Sequence, residues 1–429
     1  MRVEMSASIT RESRWKIVVG AVLVQLALGG VYAWSVFTPV LHMGGWSKTH
    51  TQLVFTAAIV SIAVAMLFSG TLIRRWGPRP LILFGGSTLS AGYLIAGLSG
   101  TTSFLPVFLL IGILAGFGIG LGYMVPLVVA MHWFPDRKGL ITGVVVAGFG
   151  FGVMGWVKLA DSWGHLLENI GLSNTFVVYG VIILLLVAIG GRYMVFPEIE
   201  AGIKYLNDTN SLTRREMLRT PEFYIIFVAY ASLAASGLMA VGLMKLYPME
   251  LLMNSGVERA SASVITGTAM GVFFSLANGL GRVSWGAVSD KLGRKRSVML
   301  MAATQGCWFL LFPSLAGSEF TLYLGATLIG FNFGGNFSLF PTLTADLFGA
   351  DSVGDNYPVV NLAFGLGGII GPTLGGVMGD LGDFTMAFTI CGFMCFAGSF
   401  ITLFLKSSVQ RFAGEQDYQV EPVSNSSRS

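Results

Sequence analysis

The residue with the most chemistry to offer is Arg282, a lone cation eight residues ahead of Asp290 inside a long apolar run. At 1.5 Å per residue this spacing puts it roughly 12 Å deeper along a helix than Asp290. Holding an arginine that deep in lipid costs about 2.5–3.5 kcal/mol even on the lenient insertion scale, so it has to face a cavity or a counter-charge. No Asp or Glu lies deep in any apolar run to neutralise it. A guanidinium is a planar fork of donors that matches a carboxylate in bidentate fashion. Gly271, Ser275, Asn278 and Arg282 recur at i, i+4, i+7 and i+11. They share one helix face, and that face is expected to line a cavity.

Other apolar runs repeat the pattern. Gln25, Gly29 and Tyr32 share a face in the first, and Gly116, Gly120 and Tyr123 in the fourth; Phe333 and Phe337 do so in the tenth, and Asn361 and Phe364 in the eleventh. Tyrosine donates a hydrogen bond from an apolar ring, but each aromatic taken alone reads first as packing. Lys158 and Asp161 read as an interfacial pair, with anion attraction or a gate as the alternative. His42, His50, His132 and His165 sit near the ends of runs and are not expected to relay protons. Cys307, Cys391 and Cys395 have no His or acidic neighbour, so they read as small buried hydrophobes and no metal site is expected. No G-x-x-x-x-G-K-[ST], H-E-x-x-H or G-x-S-x-G motif is present, which argues against ATP use, hydrolysis and a catalytic centre.

The elements that position these residues are set by composition. The 429 residues are 54% hydrophobic and only 11% charged, against roughly 25% charged in soluble domains. The 57 glycines suit close helix packing in lipid. Runs long enough to span occur at about 16–41, 51–73, 80–100, 104–131, 138–160 and 173–197, then 221–247, 260–288, 295–316, 319–343, 356–380 and 384–406. The expected fold is an all-α membrane protein of twelve transmembrane helices in two six-helix pseudo-symmetric bundles. The expected units are a cytoplasmic segment 1–15, bundles 16–197 and 221–406 joined by a linker 198–220, and a disordered tail 407–429. With the N-terminus inside, 21 of the 26 Lys and Arg residues fall on the cytoplasmic side, so both termini are expected there.

The halves repeat. Gly70–Pro80 matches Gly286–Arg296, Gly116–Gly120 matches Gly330–Gly334, and Phe149–Gly152 matches Phe364–Gly367, at offsets of 214 to 216 residues. Same-orientation repeats of six spans place a solute site between the halves near the midplane. The second loop carries Asp290, and a carboxylate there is expected to face the start of the fifth span, near Lys138 and Gly139. The first loop has Arg74 and Arg75 instead, opposite an acidic loop with Asp346, Asp351 and Asp355. Arg74 or Arg75 is expected to pair with Asp351 or Asp355 as an inner gate.

These residues resemble the major facilitator superfamily. Gly286-Ala287-Val288-Ser289-Asp290-Lys291-Leu292-Gly293-Arg294-Lys295-Arg296 follows its loop signature throughout, while the first copy departs at Arg74. Gly30–Phe37, Trp133–Leu140 and Asn278–Arg282 are similar to the oxalate/formate antiporters and the related monocarboxylate transporters. The resemblance implies that Arg282 holds a substrate carboxylate, and it adds Tyr32, Tyr123, Asn278, Phe333 and Phe337 to the site. Oxalate-type exchangers carry a lysine where this chain has Phe364, so a monocarboxylate is expected. Animal proton-coupled relatives carry an Asp where this chain has Asn278, which cannot titrate. The expected function is rocker-switch transport of formate-, lactate- or pyruvate-type anions. A dicarboxylate/monocarboxylate antiporter and a transporter-like sensor are the alternatives. Expected partners are the bilayer, a small carboxylate and either a proton or a counter-anion, with no nucleic acid and no cofactor. A monomer in the inner cell membrane is expected.

Overall fold

The computed structural model describes residues 14–100, 103–134, 141, 143–197, 211–349 and 352–406, with backbone alone at 2–13, 138–140 and 142. The N-terminal segment to residue 13, positions 198–210 of the linker and the tail from 407 lie outside the described residues. So do Asp351 and the side chain of Lys138.

Twelve long helices account for the architecture, and no strand occurs among the described residues. They are α1 Arg14–Met43, α2 Lys48–Trp76, α3 Pro78–Ser99, α4 Phe104–Trp133, α5 Lys138–Ala160 and α6 Gly171–Gly191. The second set is α7 Pro221–Leu243, α8 Arg259–Leu292, α9 Arg294–Leu315, α10 Glu319–Phe348, α11 Val353–Asp380 and α12 Phe384–Thr402. Eleven are long and apolar enough to cross a membrane among the described residues. The exception is α10, where Asn332 and Asn336 dilute the hydropathy; both are buried and turned inward. Lipid sees the apolar remainder of that helix.

The repeat extends into backbone geometry. The loops after α2 and α8 turn on Gly77 (φ 83°) and Gly293 (φ 87°), a left-handed conformation that only glycine adopts without strain. Pro126 in α4 and Pro341 in α10 lie at the same offset. Helix pairing repeats six elements apart. In the first half α1 packs on α5, α2 on α4 and α3 on α6; in the second α7 packs on α11, α8 on α10 and α9 on α12. Two seams join the halves, α2 on α11 and α5 on α8, and exchanging the halves maps one seam onto the other. One end of the molecule carries Arg74, Arg75, Arg79, Arg192 and Lys291–Arg296, and is called here the basic face; the other is the distal face.

Close approach within a half depends on missing side chains. A Cβ on Gly371 of α11 would run into the Ala235 backbone of α7, whereas one on Gly317 would meet nothing within 4 Å. Gly371→Leu is therefore expected to lower the melting temperature of the purified protein, by a clash costing about 1–3 kcal/mol. Gly317→Leu should leave it unchanged. Equal melting of the two variants would contradict this packing.

Candidate functional site

The α5–α8 seam is antiparallel, and the polar stripe of α8 lies along it. Gly271 packs on Val157 and Lys158, a Cβ on Gly150 would sit 3.2 Å from Asn278 Oδ1, and Arg282 reaches Val146. The stripe was expected to line a cavity; it joins the two halves instead, because α5 presents Gly150 to Asn278 and the Val146 carbonyl to Arg282. A π-helical turn at Ala269–Phe274 holds its first member, Gly271, and the Ser275 hydroxyl is spent on the Met270 carbonyl. Ser275 is therefore structural.

Arg282 is 2% exposed. Its Nε donates to Asn278 Oδ1 at 3.1 Å and its Nη1 to the Val146 carbonyl at 3.1 Å, a bond between halves. Asn278 is held in turn by donating from Nδ2 to the Gly330 carbonyl at 3.4 Å. Nη2 is buried with no hydrogen-bond partner, and no carboxylate among the described residues pairs with the guanidinium. The Phe337 ring lies 4.1 Å from the guanidinium carbon and the Phe149 ring 5.7 Å, so cation–π attraction replaces part of the missing counter-charge. Tyr123 stands close by. The fork is thus half used. A carboxylate that engages both terminal nitrogens would satisfy Nη2 and compete with the Val146 carbonyl for Nη1.

Beside this cation is a small cavity, partly open to solvent and lined by both halves. Tyr32, Tyr123 and Phe149 come from the first half, and Phe337, Tyr357, Asn361 and Phe364 from the second. The 3-10 stretch Gly29–Val36 of α1 brings Tyr32 to this wall. The rings form a chain: Tyr32 to Phe149 at 5.3 Å, Tyr123 to Phe149 at 5.6 Å and Phe337 to Phe364 at 5.5 Å. Phe333 is fully buried behind it, 5.4 Å from Phe337, and supports the wall without lining it. Gln25 bonds the Tyr123 carbonyl at 3.2 Å and so braces α1 against α4.

Sequence reasoning missed Tyr357, Tyr230 and Phe149. Tyr230 donates to Asn361 Oδ1 at 3.2 Å, and the Tyr357 hydroxyl lies 3.4 Å from the same oxygen. Tyr357 is four residues before Asn361, so the face rule that found Asn361 and Phe364 could have reached it. Ile59, Ile62 and Met66 complete the wall from α2, and no sequence signal separates them from core.

At the basic face Arg74 pairs with Asp355 at 3.4 Å, with both side chains more than half exposed. Arg75 is exposed and makes no bond among the described residues. Asp290 pairs with Arg294 at 2.7 Å, and Arg294 also reaches Asp346 at 3.2 Å, so Asp346 is tied within its own half. The α5–α8 register carries Asp290 toward the start of α5, where side chains lie outside the described residues. The distal face is bound more heavily. Lys48 pairs with Glu250 at 2.8 Å, and the backbone N–H groups of Lys48 and Thr49 donate to Asp380 at 2.8 and 3.0 Å, capping α2 from the other half. Asp161, expected beside Lys158, pairs with Lys245 at 3.1 Å instead, since Lys245 is brought across the seam.

The sequence model of the Major Facilitator Superfamily matches residues 17–273 and 246–416. The chain is 31% identical to an uncharacterised MFS-type transporter, YhjX, of Escherichia coli (strain K12), over 85% of this chain and 88% of that one. It is 29% identical to the oxalate:formate antiporter of Oxalobacter formigenes over 92% and 91% of the two chains. It is 26% identical to apicoplast pyruvate carrier 1 of Toxoplasma gondii over 71% and 65%. Two matches that together span nearly the whole chain, on a doubled six-helix frame with its cavity between the halves, place this multi-pass membrane protein: it belongs to the major facilitator superfamily.

Proposed function

We propose that the protein is a secondary transporter of small organic anions, above all monocarboxylates of the formate, lactate or pyruvate type. The observation that carries this reading is Arg282: a buried cation with no carboxylate partner among the described residues and one unused nitrogen, beside a cavity shared by both halves. A solute carboxylate supplies the missing charge. Tyr32 and Tyr123 offer hydroxyls, and Phe337, Phe364 and Phe149 suit a short alkyl or keto group. Asn278 orients the guanidinium and does not titrate.

The solute is carried by alternating access. A carboxylate that replaces Val146 on Arg282 removes a bond between the halves and adds one to itself, so binding loosens the α5–α8 seam. The excess of Lys and Arg supports a cytoplasmic basic face with both termini inside, and the cell (inner) membrane is the location that goes with this reading. The distal face then closes the outside with three buried or bidentate contacts. The cytoplasmic side holds by the exposed Arg74–Asp355 pair, worth about 0–1 kcal/mol. Opening to the cytoplasm is the easier motion from this conformation.

A dicarboxylate/monocarboxylate antiporter is the second reading, favoured by the similarity to the oxalate:formate antiporter. Phe364 weighs against it, since the cavity wall offers an apolar ring where a dianion needs a second cation.

Two outcomes test these readings in proteoliposomes. Arg282→Lys keeps the charge but loses the fork, and should cut uptake of every accepted carboxylate by roughly ten-fold or more. Wild-type rates would make Arg282 structural. Formate, lactate or pyruvate should compete better than oxalate for wild-type uptake, and Phe364→Lys should reverse that order. Stronger competition by oxalate on the wild-type protein would favour the antiporter reading.

A further inference from the structure

The distal end of the α5–α8 seam holds a group of charges that closure alone does not explain. Lys158 of α5 is 4% exposed, and Lys245, just past α7, is 3% exposed. Asp161, three residues after Lys158, is the one carboxylate among the described residues that pairs with either. Lys158 donates to the hydroxyls of Ser162 at 3.0 Å and Thr268 at 2.6 Å, and stands near both Asp161 and Lys245. Ser263 donates to the other Asp161 oxygen at 3.4 Å. Two buried ammonium groups therefore stand near one carboxylate, itself 15% exposed and paired with Lys245, a surplus of one positive charge. A latch needs no surplus. Burying an unmatched cation is unfavourable, and an apolar seam of the same size would close better.

We propose that Lys245, with Lys158 facing it, forms a second, distal binding site for a carboxylate anion, and that Asp161 fills that site while the face is shut. Opening separates the partners by half. Asp161 leaves with Lys158, and their three-residue spacing lets the two pair. Lys245, Thr268 and Ser263 stay with the other half, and Lys245 loses its counter-charge at the moment the mouth admits solute. An arriving carboxylate takes the place Asp161 vacated, before it passes to Arg282. Gly267 serves the closed arrangement: a Cβ there would collide with the Asp161 carboxylate, with Lys245 Nζ 3.7 Å away. This proposal rests on the solute being a carboxylate and on the distal face being outside.

The test is transport of radiolabelled lactate and formate in membrane vesicles of defined sidedness, with the Michaelis constant measured from each side. Lys245→Gln and Lys158→Gln should each raise the external constant roughly ten-fold, the order expected for one lost charge-assisted hydrogen bond, and leave the internal constant unchanged. A mere latch predicts the opposite sign, because loosening the distal face populates the outward-open state and lowers the external constant. A fall, no change or an equal rise on both sides would overturn the site. Asp161→Asn and Gly267→Ala, which free Lys245 without removing it, should lower the external constant, and a rise in either would also overturn it. Lys245→Arg, which keeps the cation, should retain wild-type behaviour and shows whether loss in the Gln variant reflects charge or folding. If the wild-type protein carries no carboxylate at all, the transport reading fails first. If it carries them through an Arg282-dependent route with unaltered constants in the lysine variants, only the distal site fails.

Discussion

The structure depends on one uncompensated charge, the Arg282 guanidinium buried in the seam between two pseudo-symmetric halves. Lipid and packed protein both disfavour an isolated cation. Here it is tolerated through a neutral amide, a backbone carbonyl from the other half and two aromatic faces. Each of these is a weaker partner than a carboxylate. On the proposed reading the arrangement stays ready for an anion and, through Val146, makes the junction of the halves sensitive to whether one is present.

Symmetry spreads that sensitivity. The α5–α8 and α2–α11 seams are equivalent by the repeat, yet they are furnished differently. On α2–α11, glycines of α11 meet Ile59 and Ala63 of α2, Asn361 reaches Met66, Asp380 caps α2 at one end and Arg74 meets Asp355 at the other. On α5–α8 polar groups run along the seam, from Lys158 at the distal end through Asn278 to Arg282. One seam is a largely apolar hinge with closures at its ends. The other carries the polar path, and the cavity walls come from both. In the alternating access proposed above, binding acts on the path and the other seam transmits the motion.

Most of the fold was legible because lipid removes choices. Apolar runs of spanning length must be helices, and their ends were set by charged residues and by Gly77 and Gly293, so the observed helices depart from the expected spans by only a few residues. The site was legible in part. Arg282, Asn278, Tyr32, Tyr123, Phe337, Asn361 and Phe364 do gather at the centre, because a polar or aromatic residue on an apolar helix has few places to turn. What sequence could not say was which face of α8 meets α5. Helical spacing defines a stripe but not its neighbour, so a seam was read as a cavity wall. Phe333 shares a face with Phe337 yet sits one layer behind, and periodicity cannot see that depth. Asp161 was matched to Lys158 because they are close in sequence. Lys245 took it because the fold brings the end of α7 across the seam. The charged pair at the basic face mixes both cases: opposite charges at repeat-related loops anticipated Arg74 with Asp355, while Arg75 makes no bond among the described residues and Asp351 lies outside them.

The most direct measurement is a structure determined with a monocarboxylate such as lactate bound. The account predicts both carboxylate oxygens within hydrogen-bond distance of the two terminal nitrogens of Arg282, with the alkyl end against Phe364 and the Val146 carbonyl released. An anion bound elsewhere, with Arg282 still donating to Val146, would contradict it.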